Sequence, residues 1–188
     1  MNSVVNKETL INMNKASLRS IEFDDIQLLR YWRNLDHVRS LMVMTNYIAK
    51  DDQRKWFERL NFDSVKYYIF SLDMKDIGCV NLTKINLSEK TFEGGVFCGD
   101  ANFLNHWINI WACIKIYNYG FFELNLETSF ATVLKNNKPA LNLNKSLGYK
   151  FIDDSNHNIA RLILSRNDYV KSTEKIQRYL RDFVKQPF

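Results

Sequence analysis

The spacing of apolar and polar positions changes several times along this chain, and each change marks an element. At Ala16–Ile21, Leu18 and Ile21 stand against Arg19 and Ser20, the mark of a short extended segment. Asp24 and Asp25 then open a helical pattern, with Ile26, Leu29 and Trp32 or Arg33 at helical spacing. Acidic residues suit a helix start, where backbone N–H groups are unpaired. A second helix is predicted from Asp51, carrying Trp56, Phe57 and Leu60 on one stripe. From Tyr67 the pattern becomes that of strands: Tyr67–Leu72, Ile77–Ile85 and Phe92–Cys98. The short segments Asp73–Asp76 and Asn86–Lys90 read as antiparallel connections.

The second half predicts a helix over Asn105–Phe122, a strand over Thr128–Leu134, and a short helix over Asn137–Leu147 that Gly148 closes. Tyr149–Asp153 and Ala160–Ser165 form a final strand pair. Asp168–Val184 places Ile176, Tyr179, Leu180 and Phe183 on one face, an amphipathic helix that packs on the body or on a partner. Strands joined by tight loops pair antiparallel, and a strand–helix–strand unit pairs parallel. The expected class is therefore α/β, a mixed sheet of about seven strands with helices on both faces. Residues 1–15 are expected to be a polar tail and residues 16–188 one domain with a C-terminal helix.

Composition narrows the partners. Of the 188 residues, 46% are hydrophobic and 25% charged, which describes a globular chain. No run approaches the roughly 18 apolar residues of a membrane helix, and Met1–Asn14 has no apolar signal core. A cytoplasmic protein without membrane attachment is expected. Cys79, Cys98 and Cys113 are isolated and odd in number, so neither a disulfide nor a metal site is expected. The net charge of +5 attracts anions, but the basic residues form no block. A phosphorylated small molecule is favoured over nucleic acid.

Three stretches carry a family resemblance. The first is Leu28-Leu29-Arg30-Tyr31-Trp32-Arg33-Asn34, followed by Val38-Arg39 and the later Trp56-Phe57. The second is Thr91-Phe92-Glu93-Gly94-Gly95-Val96-Phe97-Cys98-Gly99-Asp100. The third runs from Tyr117-Asn118-Tyr119-Gly120-Phe121-Phe122-Glu123-Leu124-Asn125-Leu126 through Asn137-Lys138-Pro139-Ala140 to Leu147-Gly148-Tyr149. Over Leu18–Asp153 the chain resembles the GNAT N-acyltransferases, and among them the branch that acylates amino groups of nucleotide-linked deoxysugars.

The resemblance implies a V-shaped cleft for an acyl-CoA co-substrate and no metal. It implies that Val96, Phe97 and Cys98 run beside the pantetheine, with a backbone N–H holding the thioester carbonyl. Asn137 and Ala140 would touch the cofactor; read from the residues alone they are an N-cap and a helix alanine. The family's usual R/Q-x-x-G-x-G/A diphosphate loop corresponds to Leu104-Asn105-His106-Trp107-Ile108-Asn109, where Trp107 and Asn109 replace the two small residues. Helix N-terminal N–H groups remain there for a diphosphate. Many relatives carry a tyrosine that protonates the leaving thiolate. Asn144 stands at that catalytic position and cannot supply the proton.

Glu93 is the candidate general base, and equally a solvent-side carboxylate. His106 is a further candidate for phosphate pairing or proton transfer, against an ordinary loop histidine. Trp32, Arg33 and Asn34 are expected at the acceptor, with Arg33 suited to a phosphate and Trp32 equally suited to a core. Asn81 and Lys84 would reach acceptor hydroxyls. The implied reaction is direct acyl transfer to the amine of a nucleotide-linked amino sugar. The acyl group is acetyl, or a longer one such as hydroxybutyryl. A protein N-terminus as acceptor, and a catalytically inactive GNAT-shaped binding module, are the alternatives. The apolar faces allow a homodimer without requiring one.

Overall fold

The computed structural model describes residues 10–13, 16–153 and 157–184. Its strands are β1 (Leu10–Met13), β2 (Ala16–Ser20), β3 (Lys66–Leu72), β4 (Lys75–Asn86), β5 (Thr91–Cys98), β6 (Thr128–Leu134), β7 (Lys150–Asp153) and β8 (Ile159–Ser165). They form one sheet in the order β1-β2-β3-β4-β5-β6-β8-β7. Every neighbouring pair is antiparallel except β5 and β6, which are parallel. The β3–β4 hairpin turns through Asp73 and Met74, both at positive φ, the geometry that matches strand twist in a tight turn.

The helices are α1 (Ile26–Asn34), α2 (Asp36–Arg39), α3 (Lys50–Glu58), α4 (Trp107–Asn118), α5 (Lys138–Leu147) and α6 (Arg166–Val184). Period-two alternation divides the sheet between them. Tyr68, Phe70, Val80, Leu82, Phe92 and Val96 join the larger core with Ile108, Trp111, Ile116 and Tyr169 of α4 and α6. Ile69, Cys79, Phe97 and Tyr67 face the other way, onto Leu29 and Trp32 of α1 and Trp56 and Phe57 of α3. The sheet is thus covered on both sides, as the strand–helix order predicts.

Several boundaries differ from the sequence reading. Leu10–Met13 adds an edge strand inside the stretch expected as a tail, which brings the sheet to eight strands among the described residues. The short α2 was not anticipated. The helix expected over Asn105–Phe122 starts at Trp107 and passes into a π-helical turn over Tyr119–Glu123. On α6 the packed positions are Tyr169, Thr173, Ile176 and Leu180, whereas Tyr179 is 63% exposed. The side chain of Phe183 lies outside the described residues. α5 follows expectation closely. Asn137 caps it by accepting from Ala140 N at 3.1 Å, and Gly148 stops it in the left-handed region at φ 101.

Candidate active site

The parallel pairing of β5 and β6 is brief. Thr91, Phe92 and Glu93 pair with Thr128, Ser129 and Phe130, and the strands then part. Beyond that vertex β5 stays paired with β4, Gly94 opposite Leu82 through Cys98 opposite Gly78. β6 stays paired with β8 through Leu134. Gly99 N donates to Ile77 O at 2.8 Å, and ladder alternation then turns the N–H and C=O of Val96 away from β4. They face the opening between the strands.

That opening is part of a cleft of about 640 Å³ that passes through the sheet. On the α4/α5 side Val96, Cys113, Tyr117, Ala131, Val133, Ala140, Leu143, Asn144 and Leu147 make a mostly apolar chamber. On the α1/α3 side Arg33, Gln53, Trp56, Tyr67, Asn81, Thr83, Glu93 and Phe97 make a polar, aromatic one. Leu41, Met42, Val43, Met44 and Ile48 line it from the segment between α2 and α3. Two asparagines hold that segment in place. Asn34 makes a two-way clip with Ile48, Nδ2 to O at 2.9 Å and N to Oδ1 at 2.8 Å. Asn137 Nδ2 donates to Leu41 O at 3.0 Å.

The anticipated residues separate accordingly. Glu93, Asn81, Arg33, Phe97, Val96, Asn137, Ala140 and Asn144 border the one cleft. Trp32 does not: it is 4% exposed, and its ring would lie 2.2 Å from a Cβ at Gly99, so it is a core residue. Asn34 acts through its clip on Ile48. Lys84 sits at positive φ beside a bulge and spends its ammonium on Glu93, 2.7 Å away, away from the cleft lining. Cys98 is also off the lining. Its thiol donates to Asp100 O and burial pushes its pKa up to about 11, so it is a poor nucleophile.

None of Asn105, His106, Trp107, Ile108 and Asn109 borders the cleft. Asn105 is exposed and Ile108 is fully buried in the larger core. Trp107 packs against that core and does not plug the opening. His106 is the N-cap of α4, its Nδ1 accepting from Ile108 N at 3.4 Å, and burial lowers its pKa. Asn109 donates to Phe103 O at 2.5 Å, which fastens the loop onto itself.

The model of the acetyltransferase (GNAT) domain matches residues 16–150. The chain belongs to the GNAT acetyltransferase family. Acetyltransferase PseH of Campylobacter jejuni is 26% identical over 136 residues, covering 69% of this chain and 80% of the relative. The crystal structure of PseH superposes with a TM-score of 0.60 at 21% identity, over 80% of this chain and 98% of that one. FdhC, described as a nucleotide-linked sugar GNAT, superposes at 0.73 with 21% identity, over 89% and 96%. Spermidine N-acetyltransferase from Vibrio cholerae, solved with CoA and spermine, superposes at 0.73 with 16% identity, over 83% and 98%. At these identities the solved structures establish a shared fold.

As a GNAT acetyltransferase the protein is an acyltransferase that uses acetyl-CoA. The residues present fit that co-substrate. The strands diverge where the thioester would be received, and the Val96 edge offers N–H and C=O groups to amides of an extended chain. Ala131, Val133, Ala140 and Leu143 give the α4/α5 chamber apolar walls. When bound, acetyl-CoA supplies an activated acyl carbon. The Val96 N–H faces the same opening.

Three features escaped the sequence. Tyr117, Tyr149 and Ser129 form a buried hydroxyl chain beneath the vertex, with contacts of 2.9 and 2.6 Å. Tyr67 lines the α1/α3 side of the cleft with its pKa pushed up to about 12, chiefly by burial. The Leu41–Ile48 segment closes over the cleft. Tyr117 and Tyr149 lie at the two ends of the third stretch, but their contact with each other and with Ser129 arises only in the folded chain.

Proposed function

We propose that this GNAT enzyme acylates an amino group of a nucleotide-linked amino sugar by direct transfer within a ternary complex. The observation that carries the reading is the charge of the acceptor side. Its lining contains one guanidinium, Arg33, and one carboxylate, Glu93. Arg33 Nη1 is buried with no hydrogen-bond partner among the described residues, and the guanidinium lies 5.9 Å from the centre of the Phe97 ring. Burial lowers its pKa, so an anion beside it would be strongly favoured. A phosphate of the acceptor answers that need. A polyamine would instead bring further positive charge to this cation.

Glu93 stands at the last paired position before the strands part, where both halves of the cleft meet. It takes the proton of the attacking amine, directly or through one water. Lys84 holds it in place from the bulge. Asn81 and Tyr67 contact the sugar or its linker, and Asn137 and Ala140 the cofactor at the start of α5. Direct transfer is favoured because Cys98 is a weak nucleophile off the cleft, and burial pushes the Cys113 thiol up to about 12. No helix of the described residues is long and apolar enough to cross a membrane, in keeping with work in the cytoplasm.

The test is a mass-spectrometric acyl-transfer screen. Acetyl-CoA and longer acyl-CoAs, hydroxybutyryl-CoA among them, are offered with nucleotide-linked amino sugars, spermidine and peptides. Transfer to a nucleotide-linked amino sugar, lost on removal of its nucleotide diphosphate, is the expected result. Preferred transfer to spermidine or to a peptide N-terminus would overturn it.

A further inference from the structure

α3 packs one stripe onto the sheet. Trp56, Phe57 and Leu60 follow at helical spacing and join the smaller core. The inward position one turn earlier, three residues before Trp56 and four before Phe57, is held by Gln53. Helical periodicity calls for an apolar residue there, and a carboxamide stands in its place. Gln53 is 5% exposed, more deeply buried than Trp56 or Phe57. Its carboxamide makes no hydrogen bond among the described residues. Neither of its polar atoms belongs to the sealed, unpartnered set, which is Arg33 Nη1, Asn109 Oδ1 and Trp111 Nε1. An amide that is buried, unpartnered and not sealed faces open space. The open space that Gln53 borders is the cleft, in the half that also presents Arg33, Trp56, Tyr67 and Asn81. Trp56 packs edge-on against Tyr67 of β3, with ring centres 5.2 Å apart, and so fixes α3 on the sheet.

Leaving a buried carboxamide unmet is costly, and a methionine or leucine at this position would remove that cost. A ligand that supplies both partners offsets it. A carboxamide has one acceptor oxygen and two N–H donors. A phosphate dianion answers the N–H end alone, because it carries no donor. An ammonium answers the oxygen alone. A hydroxyl or a secondary amide answers both ends. Gln53 is also uncharged, so it leaves the Arg33 guanidinium to an anion.

We propose that Gln53 is a specificity-determining residue that reads an uncharged hydroxyl or amide group of the acceptor, beside the phosphate that Arg33 receives. The inference rests on a nucleotide-linked amino sugar as acceptor and deepens that reading. Arg33 selects for the anionic linker, and Gln53 selects among acceptors that share the linker. A site built to hydrogen-bond a substrate group rejects the analogue that lacks it, because the site's own buried polar atoms are then stranded. Gln53 touches no reacting atom and moves no proton.

The test is a variant-by-analogue cycle in kcat/KM. The wild type and Gln53→Met are assayed with acetyl-CoA and a nucleotide-linked amino sugar that the wild type acylates. Analogues of that acceptor, each lacking one hydroxyl or one acetamido group, are run beside it. In the wild type one of these removals should cost about a hundredfold or more. In Gln53→Met the same removal should cost less than about threefold, because no carboxamide is left to strand. Whether the sensitive analogue lacks a hydroxyl or an acetamido group tells which of the two is read. Gln53→Met should raise KM for the full acceptor about tenfold or more, with KM for acetyl-CoA within about twofold, and should not lower Tm. A Gln53→Met variant as sensitive to every removal as the wild type overturns the proposal, even if it is slower throughout, since that is the pattern of a structural role. If Gln53→Met does not fold, Gln53→Leu takes its place, and a wild type indifferent to every removal overturns the proposal on its own. No transfer by the wild type to any nucleotide-linked amino sugar would overturn the acceptor assignment, and this proposal with it.

Discussion

Gly94 and Gly95 are adjacent on β5, yet a methyl group at each should have quite different consequences. Successive strand residues point to opposite faces, so the two added Cβ atoms enter opposite halves of the cleft. At Gly94 the Cβ would lie 2.3 Å from the Tyr117 hydroxyl oxygen, 2.4 Å from Cζ and 2.7 Å from Cε2. That ring cannot step aside, because it is buried, bonded to Tyr149 and stacked on Tyr169 at 5.9 Å. At Gly95 the one contact below 3 Å is Asn81 Oδ1 at 2.7 Å, the end of a side chain that can rotate into the acceptor half. Overpacking a fixed core site costs about 1–3 kcal/mol, and Gly94→Ala belongs at the upper end. For a chain of this length each kcal/mol moves Tm by about 2–4 °C, so a loss of about 6–12 °C is expected. Gly95→Ala should lose less than about 1 kcal/mol, a shift of no more than about 4 °C. Thermal unfolding gives the first readout and calorimetric titration with acetyl-CoA the second. Gly94→Ala should also weaken acetyl-CoA binding. Gly95→Ala should leave that binding intact and raise KM for the amine. Equal melting temperatures for the two variants would refute the placement of Tyr117 beneath the vertex.

Glu93→Gln should lower kcat about a hundredfold or more while acetyl-CoA still binds, as measured by steady-state kinetics beside calorimetry. Arg33→Met should raise KM for a phosphorylated acceptor about ten- to a hundredfold and leave KM for acetyl-CoA unchanged. Because it removes a half-buried guanidinium whose Nη1 has no hydrogen-bond partner among the described residues, it should not lower Tm. Asp25 supplies a pH test of the fold. Burial raises its pKa, but hydrogen bonds from Arg19, at 2.7 and 2.8 Å, and from Glu22 N outweigh this and hold it below the usual carboxylate range. The stability it contributes is complete above about pH 4 and is lost as pH falls through the depressed folded-state value. Asp25→Asn should therefore destabilise the protein at neutral pH and flatten its acid-unfolding limb in denaturant titrations.

What could be read in advance was what local chemistry decides. Asn137 with Pro139 opens a helix and Gly148 ends it, whatever surrounds them. The alternation from Tyr67 to Cys98 needs no tertiary partner to be recognised as strand. Leu10–Met13 was different. It lies in a polar stretch, and it is a strand because β2 offers it an edge. The orientation of Trp107 was beyond reach for another reason. The α4 stretch is apolar on nearly every side, so periodicity cannot say which residues face the core and which the opening. Trp32 and Arg33 are neighbours in sequence, and only packing against Gly99 and Phe97 separates a core indole from a guanidinium bordering the cleft. Lys84 was misjudged because a bulge at positive φ redirects it onto Glu93. The hydroxyl chain joins α4, β6 and the residue just before β7, which lie together only once the sheet has formed.

The account depends on a passage through the sheet whose α4/α5 half receives the acyl donor. Ala131, 8% exposed on the wall of that half, offers the most direct test. Acetyl-CoA titrated calorimetrically into the wild type should bind at one site per chain. Ala131→Trp, confirmed as folded by its circular dichroism, should give no heat. Equal binding by both proteins, or no binding of any CoA thioester to the wild type, would contradict it.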